Sequence, residues 1–132
     1  MLWPNFDDFH YKGEVKINIE VKQPCKVVEI NCNEIEITKA SLHHNNNQEI
    51  PSIANNHRKD DEVTSINFEN DIAPGKYVLD ISFKGFHNDQ MTGFYRSGYT
   101  ARDGSKKFMV TTQFEATYAR KAFPCYDEEM LW

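Results

Sequence analysis

Cysteine is scarce. Cys25, Cys32 and Cys125 are the only three, they form no CxxC pair, and an odd count does not suit a disulfide framework. Reduced thiols in a cytoplasmic setting are expected, and the lack of any Asn-x-Ser/Thr acceptor agrees. Long apolar runs are missing too: nothing approaches the roughly 18 residues of a membrane helix. The opening MLWPNFDDFH has neither the basic start nor the apolar run of a signal peptide. Positive charge is short. The net charge is −5, and the basic dipeptide Arg58-Lys59 is followed at once by Asp60-Asp61. Neither nucleic acid nor an anionic membrane is expected as a partner.

The usual catalytic signatures are absent as well. There is no GxSxG, no Gly-rich phosphate loop, and none of His10, His43, His44, His57 and His87 sits in HExxH. His43-His44 with Asp60 or Asp61 is the one conceivable zinc set, but that spacing enforces no convergence, and a solvated loop is the simpler account. The expected metal ligands of this chain are therefore none. The three cysteines read as small core residues.

What the chain has in quantity is aromatic residues and a period of two. Aromatics make up 13% of 132 residues, enough for one core built from sheets. In GEVKINIEVK, Val15, Ile17, Ile19 and Val21 alternate with charged or polar neighbours, which is the pattern of a half-buried strand. In PGKYVLDISFKG, Tyr77, Leu79, Ile81 and Phe83 do the same after a Pro-Gly turn. Further strands are predicted around Val27–Cys32, Ile35–Leu42 and Glu49–Ile53, and in EVTSINFEN. Two more are predicted on either side of Arg102-Asp103-Gly104, whose Asp-Gly marks a hairpin. The Asn-rich stretch from His43 to Asp61 reads as a loop or irregular hairpin region. Only ATYARKAF has helical character, for a turn or two. The fold class is mainly β, an antiparallel sandwich of seven or eight strands in a single domain over residues 1–132.

One polar pair stands out. If FMVTTQFE is extended, Phe108, Val110, Thr112 and Phe114 face the core while Gln113 and Glu115 lie together on the other face, roughly 7 Å apart. An amide beside a carboxylate can grip an amine, the amide orienting it and the carboxylate supplying charge. From the residues alone, a solvated polar face is the simpler account.

TTQFEATYARKAFPCYDE strongly resembles the motif that ends the N-terminal domain of M1-family zinc aminopeptidases, the puromycin-sensitive type in particular. MTGFYRSGYTARDGSKKFM, FHYKGEVKINIEV, CNEIEITKASL and PGKYVLDISFKGFHNDQM follow the same family's pattern, so the likeness spans about Phe9 to Glu128. It implies a saddle-shaped β-sandwich over a separate thermolysin-like domain that carries GAMEN, HExxH, zinc and a catalytic Tyr. It implies that Gln113 lines the pocket for the first substrate side chain and that Glu115 binds the peptide's α-amine, which reverses the preference for a solvated face. Gly93–Ser97 and Phe123–Cys125 are structural in this reading.

Departures from the pattern shape the remaining expectations. GAMEN and HExxH do not occur, so the chain by itself is expected to be non-catalytic, with its partners a peptide N-terminus and an M1 catalytic domain. Tyr118 replaces the family's Asp, Glu129 replaces a Pro, and Trp132 stands near an expected Lys. MLWPNF replaces the usual first strand, which would expose a sheet edge and open a route to a homodimer. A fragment, a truncated product and a short paralogue remain open, as does a stand-alone peptide- or protein-binding module derived from such an enzyme.

Overall fold

β8 (Gly75–Phe86) is the organising strand, and its sequence explains why. Tyr77, Leu79, Ile81 and Phe83 are buried in a row on one face, while Val78, Asp80 and Ser82 stay half-buried and Lys84 exposed on the other. Each fully buried side chain of this size contributes about 1.5–3 kcal/mol. Antiparallel partners flank it: β2 (His10–Val21) in unbroken register and β4 (Ile35–His44) with a bulge between Ile37 and Lys39. At the bulge the Thr38 hydroxyl donates to the Ser82 carbonyl (3.0 Å). The computed structural model describes residues 1–44 and 48–126.

Short strands β1 (Leu2–Pro4) and β5 (Glu49–Pro51) complete this first sheet in the order β1-β2-β8-β4-β5. A second sheet has the order β3-β7-β6, from β3 (Cys25–Asn31), β6 (Ala54–Arg58) and β7 (Val63–Ile72). Val28, Ile30, Ile66 and Phe68 from this sheet share one core with Leu42, Leu79 and Ile81 from the first. β9 (Gly93–Thr100) and β10 (Lys106–Gln113) form a separate two-stranded hairpin. A 3-10 turn follows at Ala119–Lys121.

The mainly β, antiparallel expectation holds, with corrections. Ten strands are described rather than seven or eight. The region read as loop carries the end of β4 and all of β6, while the short strand expected around Glu49–Ile53 is β5. MLWPNF does form a strand, but a short one: Leu2–Pro4 covers only Tyr11–Gly13 of β2. β10 does not enter the core as its alternation predicts. Phe108 is 48% exposed, packing on Phe9 (5.0 Å between rings), and only Val110 and Phe114 of its apolar row reach core side chains.

Two buried residues join the hairpin to the sandwich. The Tyr11 ring passes so close to Gly85 that any Cβ there would overlap it, and its hydroxyl donates to the Ala122 carbonyl (2.7 Å). Beside it His87, 3% exposed, stacks on Tyr11 and packs on Phe94. Neither His87 ring nitrogen has a hydrogen-bond partner among the described residues.

Candidate functional site

Gln113 and Glu115 reach the surface at the root of the hairpin. Gln113 is the last paired residue of β10, opposite Gly93. The alternation predicts a strand running on through Glu115, but the chain turns instead. The Phe114 carbonyl accepts the Tyr118 N–H (3.0 Å), and Gln113 Oε1 accepts the Glu115 N–H (2.9 Å). A side chain that captures the backbone two residues on competes with the sheet ladder and ends it. The two side chains therefore flank a turn rather than share one face of a strand.

Both are exposed, while Phe114 between them is half-buried edge-on against Phe123 (5.8 Å between rings). Phe114 fixes the turn, and its neighbours project outward. The Gln113 carbonyl oxygen is engaged locally, so the amide's N–H groups and the Glu115 carboxylate are what the turn offers a ligand. Amide N–H groups can donate to a carbonyl, and a carboxylate can accept from an amine.

The support behind the turn is built from less obvious residues. Gly93 has φ +71°, and a Cβ there would lie 2.6 Å from Lys121 Cβ, so both conformation and space demand glycine. Lys121 Nζ donates to Thr92 Oγ1 (3.2 Å). Buried Arg120 pairs with Glu62 (3.2 Å), whose other oxygen accepts from Asn33 (2.7 Å). Cys125 bridges to Asn31 of β3. The segment from Phe114 to Cys125 is thus tied to both sheets. Gly93 and Phe123–Cys125 act structurally, whereas Tyr11 and the Arg120–Glu62 pair lie too far apart in sequence for spacing to link them.

The remaining candidates do not converge. His43 faces Ser41 (3.3 Å) and Asp80 (3.8 Å) through the same ring nitrogen, while His44 turns to the Tyr77 ring (5.0 Å). Asp61 is engaged by Arg58 (3.1 Å), which also pairs with Glu29 (3.0 Å). Among the described residues no group of three or more His, Cys, Asp or Glu can hold a metal, so they do not fit a zinc site. Burial pushes the Cys32 thiol up to about 11, which makes it an inert core group at neutral pH. A cleft of about 760 Å³ is lined by residues of β4, β6, β7 and β8, with neither Gln113 nor Glu115 among them. Glu128, Glu129 and Trp132 lie outside the described residues.

Similarity to known proteins bears on the same segment. The chain is 35% identical over 127 residues to the puromycin-sensitive aminopeptidase of Caenorhabditis elegans, covering 96% of this chain and 13% of that protein. It is 40% identical over 132 residues to the alanine/arginine aminopeptidase of Saccharomyces cerevisiae, covering 98% and 15%. It is 36% identical over 130 residues to aminopeptidase M1-A of Oryza sativa subsp. japonica, covering 96% and 15%. The chain thus spans only 13 to 15% of the length of these curated relatives. The pattern of the Peptidase M1 N-terminal domain matches residues 1–129, and with these identities it follows that the chain belongs to the M1 aminopeptidase family, as its N-terminal domain.

Proposed function

We propose that this domain recognises the free N-terminus of a peptide for a zinc aminopeptidase whose catalytic groups lie on another domain. The observation that carries the reading is the turn at Phe114. It is anchored to the core and exposes an amide and a carboxylate on either side of Phe114. Glu115 takes the α-amine and Gln113 lines the pocket for the first side chain. Residues 1–132 act as one domain, non-catalytic alone, and the thiols Cys25, Cys32 and Cys125 favour a reducing cytoplasmic setting.

Two exposed side chains hold a peptide weakly. An exposed ion pair contributes roughly 0–1 kcal/mol, and even millimolar affinity needs about 4 kcal/mol. The test is reconstitution with the catalytic portion of the Caenorhabditis elegans relative, read on a fluorogenic aminoacyl substrate. The chain alone should give no turnover, with or without zinc. Reconstituted, Glu115→Ala should lower kcat/KM about 10-fold or more, the worth of a desolvated charge-assisted hydrogen bond. Equal kcat/KM for Glu115→Ala and the parent would remove Glu115 from amine recognition.

A further inference from the structure

We infer that Ser105, at the tip of the β9–β10 hairpin, is a phosphorylation site for a protein kinase that reads basic residues around its target serine. This goes beyond the recognition of a peptide N-terminus and does not depend on it.

Charge singles out the tip. The chain as a whole carries −5, yet residues 102–107, RDGSKK, hold three cations against one carboxylate, and all of them are exposed. Arg102 stands three positions before Ser105, and Lys106 and Lys107 follow it. Kinases select substrates in part by charge pattern, and an acidic peptide groove favours a serine flanked in this way.

Access separates Ser105 from the other serines. Ser41 and Ser65 are buried, Ser52 and Ser82 are half-buried, and Ser97 is exposed but held in the β9 ladder opposite Met109. Only Ser105 is both exposed and outside a strand, just before β10 begins at Lys106. There is room around it, since a Cβ at Gly104 would meet nothing within 4 Å.

The turn is held by its own residues. Gly104 has φ +81°, its N–H donates to the Ala101 carbonyl (2.9 Å), and the Ala101 N–H donates to the Ser105 carbonyl (2.9 Å). Asp103 Oδ1 accepts both the Ser105 N–H (3.0 Å) and the Ser105 hydroxyl (2.6 Å). These bonds join near neighbours in sequence, so the tip opens into a kinase groove without disturbing the sandwich.

In the transfer, Ser105 Oγ attacks the γ-phosphorus of ATP. The Oγ–P bond forms, the bond from that phosphorus to the bridging oxygen breaks, ADP leaves, and the hydroxyl proton passes to the kinase's base. The phosphate adds a charge of about −1.5 to −2, which nearly cancels the positive excess of the tip. The hydroxyl that bonded Asp103 is then gone, and phosphate and carboxylate repel. Arg102, Lys106 and Lys107 supply the donors that pair with the phosphate instead. Modification thus turns a basic tip nearly neutral and rebuilds its turn, on the strand pair whose other end carries Gln113.

The test incubates the folded 132-residue chain with ATP and a basophilic kinase of the cyclic-AMP-dependent type, beside an acidophilic kinase, and maps phosphate by mass spectrometry. The basophilic kinase should place a single phosphoryl group on Ser105, the acidophilic one should place none there, and Ser105→Ala should abolish labelling. Arg102→Ala should lower kcat/KM for the kinase about 10-fold or more, through loss of one charge-assisted contact. Hydrogen exchange of the phosphorylated chain should quicken at residues 101–106 and stay unchanged in β8. Thermal melts show that each variant is folded at the assay temperature. No incorporation into the folded chain, incorporation only after heat unfolding, or phosphate on Ser97 or Thr100 instead would overturn the site. Labelling of Ser105 that is indifferent to Arg102→Ala and equal with the acidophilic kinase would overturn its recognition through basic residues.

Discussion

The sandwich and the β9–β10 hairpin are made from the same strand alphabet but held by different means. In β8, every second side chain from Tyr77 to Phe83 is buried, and the strand is paired on both sides. In β10 the same alternation leaves Phe108 and Met109 both about half exposed, and the strand pairs only with β9. Stability in the sandwich is spread over many interchangeable apolar contacts. In the hairpin it is concentrated where Gly93, Phe94 and Phe114 meet Lys121, His87 and Phe123. The candidate site sits on the second kind of structure, so its geometry depends on a few unusual residues.

Truncating the sandwich should break both regions at once. Leu79 is fully buried at the centre of β8, between Ile17 and Leu42. Leu79→Ala should cost about 2–5 kcal/mol in chemical denaturation, through lost transfer energy plus a residual cavity. Amide protection should fall throughout the chain.

Gly93→Ala should separate the regions. It forces a side chain into a left-handed conformation and against Lys121, at a cost of about 1–3 kcal/mol. Hydrogen exchange should quicken in β9, β10 and the turn at Phe114 while β8 keeps its protection. Equal loss in β8 would mean that the hairpin and sandwich form one cooperative unit.

Acidification gives the smallest and most local effect. Burial, with Arg96 and His10 adding to it and Asp8 opposing, holds His87 below its ordinary value of 6.5. The folded state thus binds the proton less readily than the unfolded chain. Stability is complete above pH 6.5 and declines as pH falls from there towards the folded-state pKa. Because the uncharged ring sits among Tyr11, Phe94 and Phe6, the hairpin junction should loosen before the sheets do. His87→Leu should flatten this part of the pH–stability profile and raise stability near neutrality. An unchanged profile would remove His87 from the acid response.

How much of this is legible without the fold differs between the regions. β2 and β8 can be read directly, because alternation over ten or more residues leaves one face for the core. β6 cannot, since every residue in Ala54–Arg58 is exposed and its pairing comes from β7 alone. The hairpin turn is legible from Asp103-Gly104, with Gly104 at φ +81°. That its strands stand apart from the core is not, because Phe108 reads as a core residue until it is seen half exposed against Phe9 and Arg96. At the site, residue type and family likeness both single out Gln113 and Glu115. The turn that separates them from the strand follows from the Gln113 side chain taking the Glu115 N–H, which periodicity does not predict.

By itself, the sequence determined the family, the mainly β class and the strands whose alternation is long enough to specify a face. Those properties are written residue by residue, in side-chain period and local motif. Only the tertiary structure decided which strands share the core, where β10 ends and how Tyr11, His87, Gly93 and Arg120 hold the site from across the chain. Contacts of that kind join residues separated by up to about a hundred positions, and they exist only once the sheets have closed over one another.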